Sequence, residues 1–527
     1  MKQTMKHQSL LSGIKSLGIM LSLGLALASC TKDDVAQNPA TPNEEENKNL
    51  TTFVAGGENK TRTSMDYNSG DFYWEAGDYI YVKDDDGVLQ KSTNAPDQKV
   101  ASFNYKVPGK FTASSSYKIY YFGKNSSNNQ VVIPSAQSQS TPNNTEHFGV
   151  SGDYGTATAK KVTGKNQFVF ELEHQAAYLV FHPYVSNTLL QNCYLTKIEV
   201  SSDNDIASTY TLNAGTGTLQ SVSTGAEADK EIILSTKGSG TYANGFPLNT
   251  ASDNVAVNGA YMVIKPGTHT LKVRYWLKDV STGIEGTVTK AFKAFNYDVN
   301  NYYDIDGNLN IRDYDGDHYY MWDAKEQYWK GHEWWSANKD QPVLNGNDNG
   351  NDPKDNNDSR WYNEGSGSSL NATQSCATLP NVNEMTWYAA YGEPRWDADE
   401  LWTTMGHLYK GGMWFKKKAV LQGEGHYNSN TAADGTDWRA TTARAEQTWP
   451  VSPSLPSAAD AGNYFYLPAL GTYAYGGLNY VGDEGVYWSS SASLWNSGSA
   501  YVLDFYSDGI DVGVYGCDAG YRVGGFE

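Results

Sequence analysis

Apolar and polar side chains alternate with a period of two over much of the chain before residue 311. The segment Leu271–Leu277 reads Leu-Lys-Val-Arg-Tyr-Trp-Leu, and the segment Phe168–Leu172 reads Phe-Val-Phe-Glu-Leu. This period is typical of strands, because successive strand side chains point to opposite faces of a sheet. Gly, Asn, Asp and Ser interrupt the pattern at the spacing of sandwich strands. The pattern predicts one or two β-sandwich domains.

Beyond residue 310 the pattern changes, and two helix signals appear in a tryptophan-rich segment. Asn381 precedes Glu384 by three residues, which is a capping-box signature, and Gly392 is placed to end the helix. The segment Asp397–Trp402 has the same three-residue spacing of a capping residue and a glutamate, and predicts a second helix that ends near Gly406. We therefore predict an α+β unit over residues 311–527.

Residues 1–29 predict a signal peptide. Lysines precede the apolar run Leu17–Ala28, which is too short to cross a bilayer as a helix. The run ends in Leu-Ala-Ser-Cys30, which resembles a bacterial lipobox, so lipidation at Cys30 is predicted. The alternative is an ordinary signal peptide followed by a chance cysteine. Residues 30–50 are rich in Asn, Glu, Thr and Pro, and predict a flexible tether.

The charge balance narrows the possible partners. The chain of 527 residues has 40 Lys and Arg against 59 Asp and Glu, a net charge of −19. This excess argues against nucleic acid, whose binding depends on cations that neutralise phosphates. It also argues against docking on anionic lipid through a basic patch. Apart from Cys30 the chain has Cys193, Cys376 and Cys517, so at most one disulfide is expected.

Motifs for catalysis or cofactor binding are absent from the sequence. His332-Glu333 lacks a second histidine at the metalloprotease spacing. The acidic segment Asp313–Asp317 has no glycine after its third acidic position and no distal glutamate, both of which an EF-hand loop requires, and predicts a solvated acidic turn. We expect no enzymatic activity, no metal and no cofactor.

Four segments before residue 311 carry a resemblance to a known family. They are Thr61–Thr63 with Phe72–Val82, Tyr120–Phe122 with Ile133–Gln137, Phe168–Phe181 and Phe292–Ile305. In this order and spacing they resemble the fimbrillin family, the lipoprotein pilins of Bacteroidetes. The resemblance covers about half of the chain and implies two fimbrillin-like β-sandwich units, residues 51–185 and 186–310.

The fimbrillin resemblance also implies a route of assembly. It implies an outer-membrane lipoprotein on the cell surface, anchored by lipid (palmitate) before processing. A surface protease then trims the chain after a basic residue, and the loss of an early strand opens a groove that a strand of another pilin subunit fills. Arg62, the first arginine of the chain, is the predicted cut site. The alternative is that Arg62 is a solvated strand residue.

The C-terminal unit carries a second resemblance. Leu379-Pro380 with Glu384 and Trp387, then Tyr487–Ser491 and Gly520–Phe526, resemble C-type-lectin-like and formylglycine-generating-enzyme-like modules. Some surface proteins of Bacteroidetes that carry such modules are diversified there by a retroelement. The resemblance implies a ligand-binding module over residues 311–527.

Apolar and polar residues also alternate in the C-terminal tail. This alternation separates residues predicted to pack inward from residues predicted to be exposed. Leu503, Phe505, Ile510 and Val512 are predicted to pack inward. The predicted ligand-binding residues are the displayed ones and the run that follows them: Val502, Asp504, Tyr506, Asp508, Asp511, Val514, Tyr515, Gly516, Asp518 and Ala519. Tyr506 and Tyr515 are the predicted anchors, because aromatic side chains dominate binding hot spots. The alternative is an ordinary edge strand with a turn.

These features predict a mainly β cell-surface protein that binds ligands and is not an enzyme. The first hypothesis is a pilus (fimbria) subunit, at the tip, that binds an unknown host or bacterial surface ligand, a protein or a glycan, through the variable face of its lectin-like module. The second is a stand-alone surface lipoprotein that binds glycans and is not assembled in a pilus.

Overall fold

The computed structural model of the protein describes residues 6–9, 50–56, 64–67, 72–125, 129–213, 218–222, 226–346, 350–365 and 371–527. Strands account for 42% of the chain and helices for 9%, which confirms the predicted mainly β class. Cys30 and Arg62, the residues predicted for lipidation and cleavage, lie outside the described residues. No helix within these ranges is long and apolar enough to cross a membrane.

The strands that begin before residue 186 are β1 (Lys6–Ser9), β2 (Leu50–Ala55), β3 (Ser64–Met65), β4 (Phe72–Tyr73), β5 (Tyr81–Lys83), β6 (Leu89–Lys91), β7 (Phe103–Pro108), β8 (Ser116–Tyr121), β9 (Gln130–Ile133), β10 (Ala136–Ser138), β11 (Gly155–Lys161), β12 (Gln167–Phe170), β13 (Glu173–His174) and β14 (Ala177–Tyr184). The middle of the chain forms β15 (Cys193–Ser202), β16 (Ser208–Asn213), β17 (Thr218–Ser221), β18 (Glu231–Ser235), β19 (Phe246–Pro247), α1 (Val255–Asn258), β20 (Ala260–Ile264), β21 (Gly267–Asp279), β22 (Glu285–Tyr297) and β23 (Asn301–Asn308). The remainder forms β24 (Tyr319–Tyr320), α2 (Val382–Tyr391), β25 (Arg395–Thr404), β26 (His407–Lys416), α3 (Lys418–Gly423), β27 (Gln447–Pro450), β28 (Tyr464–Pro468), β29 (Thr472–Ala474), β30 (Gly477–Asn479), β31 (Gly485–Ala492), β32 (Ser499–Phe505), β33 (Gly509–Gly516) and β34 (Tyr521–Arg522).

The first sheet has the strand order β6-β5-β8-β11-β12-β2-β7, and β13 pairs with β11. The strand β2 lies inside this sheet, parallel to β12 on one side and antiparallel to β7 on the other. Its side chains alternate between buried and half-buried positions, as the period of two predicts. Phe53 at its centre is fully buried and stacks on Phe168, with ring centroids 5.0 Å apart. The earliest strand of this sheet is therefore part of its core.

The middle of the chain is a sandwich in which one layer is buried on both faces. The strand β14 pairs with β20 and β23, while β10, β18, β15, β21 and β22 form the opposite sheet. Leu179 and Phe181 of β14 enter the core between the two sheets. Tyr178 and Val180 enter a second core on the other face, so the first part of β14, Ala177–Phe181, is a continuous apolar run, as a strand buried on both faces requires.

Sheet pairing crosses the boundary that the sequence places at residues 185/186. The strands β9 and β10 precede that boundary, yet β9 pairs with β16 and β10 pairs with β18. The strand β14 also precedes it and pairs with β20 and β23. The second predicted boundary lies at residues 310/311. Near it, Ile311 packs against the core of the middle sandwich and Tyr314 belongs to the core of the C-terminal unit.

The capping box of the C-terminal unit is confirmed, and the second predicted helix is wrong. The Asn381 side chain accepts from the Glu384 backbone N–H at 3.0 Å, the Glu384 carboxylate accepts from the Asn381 N–H at 2.9 Å, and Gly392 caps the end of α2. The segment Asp397–Trp402 instead lies in β25, which pairs with β26 across a register shift. Contacts with the middle sheet hold this segment in the extended conformation.

The middle sandwich and the C-terminal unit are joined through a buried ion pair. The strand β22 pairs with β25 at Thr287 and Glu400. Arg274 of β21 donates from Nη2 to Asp397 Oδ1 at 2.9 Å, and the two side chains are 9% and 2% exposed. Glu400 accepts from the hydroxyls of Thr287 and Thr289 at 3.0 and 2.6 Å. Burial and the neighbouring Asp397 charge raise the pKa of Glu400 to about 7.

Candidate ligand-binding surface of the C-terminal unit

The strand β32 is buried along its whole length, so the predicted split into an inward and a displayed face is wrong there. Leu503 and Phe505 are fully buried, as predicted, and so are Val502 and Asp504, which were expected to be displayed. The reason is a second apolar core on the far side of the strand. Val502 packs in that core with Trp322 and other buried side chains, while Leu503 packs in the first core.

The remaining predicted ligand-binding residues are accessible to different degrees. Asp508, Gly516 and Asp518 are exposed, whereas Tyr506, Asp511, Val514, Tyr515 and Ala519 are half-buried. The predicted inward residues Ile510 and Val512 are fully buried. Ligand binding by the accessible residues stays a prediction. The structure places Tyr506, Asp511 and Tyr515 in one group and Gly516, Asp518 and Ala519 in another, and Asp508 and Val514 belong to neither.

The first group is a network of carboxyl and phenol groups around Asp504. Tyr506 and Tyr515 lie with their hydroxyls 2.7 and 2.6 Å from Asp504 Oδ2. The Tyr506 hydroxyl also lies 3.0 Å from Glu484 Oε1. Asp511 is the cross-strand neighbour of Asp504 on β33. The two predicted anchors, Tyr506 and Tyr515, therefore direct their polar ends to a buried carboxyl group and not to solvent.

Burial raises the proton affinity of two carboxyl groups in this network, Asp504 and Glu484. The Tyr506 phenol has one proton and lies within hydrogen-bond distance of two carboxyl groups, so it can engage both only when one of them is protonated. Burial, together with the charge of Asp504, raises the pKa of Glu484 to about 7. Burial also raises the pKa of Asp504 to about 6, even though both phenols donate to it. Within the described residues Asp504 Oδ1 and Asp511 Oδ1 are buried without a hydrogen-bond partner.

The second group opens onto a concave surface of about 440 Å³, here called the tyrosine groove. Its lining combines predicted residues with aromatic and charged side chains: Met321, Tyr328, Asp352, Pro353, Lys354, Trp361, Ala474, Tyr475, Gly516, Asp518, Ala519 and Tyr521. Ligand pockets of this size typically pair apolar and aromatic walls with a few fixed polar groups. The tyrosine groove has this composition.

Two walls of the tyrosine groove are fixed by buried contacts. Arg360 donates from Nε and Nη2 to the two oxygens of the Asp358 carboxylate, at 3.1 and 2.7 Å, and from Nη1 to the Asn351 carbonyl at 3.0 Å. This arginine clamp fixes the segment that contains Asp352. On the other wall, the backbones of Gly520 and Tyr473 exchange hydrogen bonds of 2.8 and 2.9 Å. The residues Gly516, Asp518 and Ala519 are thus presented by an anchored loop.

Tyr475 forms the tip of a third wall in a strained conformation. It lies at the turn between β29 and β30 with φ +50° and is 82% exposed. Residues other than Gly, Asn and Asp rarely adopt this left-handed conformation, which costs about 1–2 kcal/mol. A hydrogen bond stabilises the turn, in which the Tyr328 hydroxyl accepts from the Gly476 N–H at 3.2 Å. Tyr480 is also left-handed, with φ +60°, and is 60% exposed, but it does not line the groove.

The acidic segment near residue 313 forms a small polar cluster. Carboxylate oxygens of Asp315 and Asp317 and a ring nitrogen of His318 all lie within 4.8 Å of one another. The side chain of His318 is about half exposed and lies 2.8 Å from Asp315. The three cysteines of the described chain, Cys193, Cys376 and Cys517, are free and buried, and burial raises the pKa of each thiol.

Several groove residues escaped the sequence analysis. Asp352, Trp361 and Tyr475 are contributed by two loops far from the C-terminal tail in sequence, and no spacing rule connects them with Gly516–Ala519. One local signal exists: Tyr475 precedes Gly476 between two short segments able to form a hairpin, where Asn or Asp before Gly is preferred. An aromatic residue at such a turn is unusual and could have marked the position.

Comparison with known proteins gives low similarity. The sequence matches no protein-family profile, and no curated protein matches it. A solved structure of a proposed cell adhesion protein from Bacteroides ovatus covers 49% of this chain and 91% of its own, at 12% identity and a TM-score of 0.30. The fimbrial anchor protein Mfa2 from Porphyromonas gingivalis covers 45% and 80%, at 14% identity and a TM-score of 0.21. A fimbrial protein from Bacteroides ovatus covers 90% and 98%, at 9% identity and a TM-score of 0.23. At these TM-scores, the function of this chain has to be argued from its own residues.

Proposed function

We propose that the protein is a cell-surface pilus subunit, acting as a tip adhesin, and that its C-terminal unit binds a saccharide in the tyrosine groove. The observation that carries the binding part is the convergence in one concavity of predicted residues Gly516, Asp518 and Ala519 with the strained, exposed Tyr475. Strain that the surrounding fold maintains is a feature of functional sites. The lectin-like fold of the unit and the identity of the ligand belong to this proposal.

The chemistry of the tyrosine groove suits a sugar. The aromatic rings of Trp361 and Tyr475 offer flat apolar surfaces on which the C–H face of a pyranose can stack. The exposed Asp518 carboxylate can accept hydrogen bonds from the hydroxyl donors of a sugar, and Asp352 contributes a carboxylate that already pairs with the Lys354 ammonium at 2.5 Å. Asp352 is 7% exposed and is held by the Arg360 clamp, so its position is fixed before a ligand arrives.

Replacing Tyr475 with Asn should separate binding from stability. Asn tolerates the left-handed conformation, so Tyr475→Asn is expected to raise the free energy of unfolding by about 0.5–1 kcal/mol. The same change removes an aromatic wall, and binding of the full chain to immobilised gastric mucin should weaken at least tenfold. Tyr480→Asn is the matched control, since it relieves similar strain outside the groove and should leave binding unchanged.

Mucin treated with periodate, which cleaves vicinal diols of sugars, distinguishes a glycan from a protein ligand. Loss of binding to treated mucin is expected. Equal binding to treated and untreated mucin, or equal weakening by the two Asn variants, would contradict the proposal.

The assembly part of the proposal is supported by the position of β2. Cleavage after Arg62 would release a segment that contains β2, which lies between β12 and β7 and fills the core with Phe53. Two sheet edges and an apolar slot would then be open, and such an edge is satisfied by a strand from another subunit. The stand-alone lipoprotein is the alternative, in which β2 stays in place.

Arg62→Ala should block this maturation in cells. The N-terminus of protein sheared from the cell surface should begin at Thr63 for the unchanged chain, and a longer chain is expected for Arg62→Ala. The variant should also be absent from high-molecular-weight polymers, because β2 stays in the sheet and a strand of another subunit cannot take its place. Lys60→Ala, two residues earlier, is the matched control and should mature normally. Polymers built from uncut chains would contradict strand replacement.

A further inference from the structure

A second concavity of about 290 Å³, here called the joint cleft, lies where β21 and β22 meet the C-terminal unit. The residues that decide its chemistry are Lys272, Arg274, Asp397, Trp414, Lys417 and Tyr464. It shares no lining residue with the tyrosine groove. The joint cleft is therefore a separate site, and what it binds is independent of the proposed function.

Positive charge is concentrated in the joint cleft, although the chain carries a net charge of −19. Lys272, Arg274, Lys290 and Lys417 line it, and Asp397 is the carboxylate among the described lining residues. Both Asp397 oxygens are already occupied: Oδ1 accepts from Arg274 at 2.9 Å and Oδ2 accepts from Trp414 Nε1 at 3.1 Å. The charges of Glu199 and Glu231 act on Lys272 from the neighbouring strands. Neither of these glutamates lines the cleft.

The cationic groups keep donors that the described residues do not use. Arg274 Nε is buried and has no hydrogen-bond partner in the described part of the chain. Lys272 Nζ donates to the Pro456 carbonyl at 2.7 Å and Lys417 Nζ donates to the Gly462 carbonyl at 3.0 Å. An ammonium group has three donors, so each lysine retains capacity for a ligand. Burial and the charge of Arg274 lower the pKa of Lys272, and a bound anion would counter both effects.

The joint cleft also has an apolar wall. Trp414 is half-buried and packs on Tyr466 at a ring-centroid distance of 5.0 Å, and Leu455 and Pro456 lie across from the strands. An inorganic anion would use the cations and leave this wall unused. We propose that the joint cleft binds an acidic monosaccharide unit, with its carboxylate at Lys272, Arg274 and Lys417 and its ring against Trp414.

Titration of the full chain with sodium glucuronate, followed by calorimetry or saturation-transfer NMR, tests this assignment. A ligand of this size should bind with a dissociation constant on the order of 1 mM. Glucose, which has the ring without the carboxylate, should bind at least tenfold more weakly at the same ionic strength. Sodium sulfate, which has the charge without the ring, should also bind more weakly.

Lys272→Gln combined with Lys417→Gln should weaken glucuronate binding at least tenfold. Lys278→Gln, on the same strand but outside the cleft, is the matched control and should bind as the unchanged chain does. Thermal denaturation and mucin binding of each variant show whether the fold and the tyrosine groove are intact. Equal binding of glucose and glucuronate, or full binding by the double variant, would overturn the anion site. Equal binding of sulfate and glucuronate would overturn the assignment to a sugar acid.

Discussion

Asp397→Ala is expected to lower the free energy of unfolding by about 3–5 kcal/mol, because it leaves the Arg274 guanidinium buried without its counter-ion. The two side chains are only 9% and 2% exposed, so water solvates the unpaired guanidinium poorly. The change also removes the acceptor of Trp414 Nε1, at 3.1 Å, and of the Asp399 backbone N–H, at 3.1 Å. Chemical denaturation followed by tryptophan fluorescence measures the loss.

Asp399→Ala is the matched control for the buried pair. Asp399 lies two residues along the same strand and pairs with Lys410 at 3.2 Å, but the two side chains are 35% and 42% exposed. Exposed pairs contribute about 0–1 kcal/mol, so this change should alter stability little. Replacing both buried partners, as Arg274→Met with Asp397→Leu, should recover most of the stability lost in the single variant. A double variant as unstable as Asp397→Ala would contradict the charge-burial explanation.

The buried ion pair also explains why the sequence predicted a helix where the structure has the strand β25. Asp397 and Glu400 have the three-residue spacing of a capping box, as Asn381 and Glu384 do. The helix signal of Asn381 is local, since both reciprocal hydrogen bonds are made within one turn, and it was predictable. The carboxylates of Asp397 and Glu400 bond instead to Arg274, Thr287 and Thr289, which are over 100 residues away. Such long-range partners cannot be inferred from spacing.

A similar limit applies to the C-terminal tail. The period of two correctly placed Leu503, Phe505, Ile510 and Val512 in the core. It also predicted that the opposite face of β32 is displayed, and a single sequence does not reveal that a second apolar core, with Trp322 and Trp488, covers that face. Strands buried on both faces normally read as continuous apolar runs. The polar Asp504 in this run therefore predicts a surface position, whereas it belongs to a buried network of carboxyl and phenol groups.

Asp504→Asn is expected to make the protein more stable at pH 7.5, by about 2 kcal/mol, and to leave it nearly unchanged at pH 4. In the folded state, burial raises the pKa of Asp504 to about 6, compared with about 3.9 in an unfolded chain. Well below pH 4 the carboxyl group is protonated in both states and does not affect stability. Between about pH 4 and pH 6 the unfolded state has lost this proton while the folded state keeps it, so stability falls over this range and levels off above pH 6.

Asn removes this penalty while preserving most of the contacts. Its amide oxygen can accept from Tyr506 or Tyr515, and its amide group can donate towards the cross-strand Asp511, whose Oδ1 is buried without a partner among the described residues. Urea denaturation at pH 4, 5.5 and 7.5 should therefore give a flatter pH profile for Asp504→Asn than for the unchanged chain. Asp508→Asn, in the exposed turn between β32 and β33, should keep the original profile. Destabilisation by Asp504→Asn of equal size at all three pH values would mean that the network requires the carboxylate, and would refute the shared-proton description of this site.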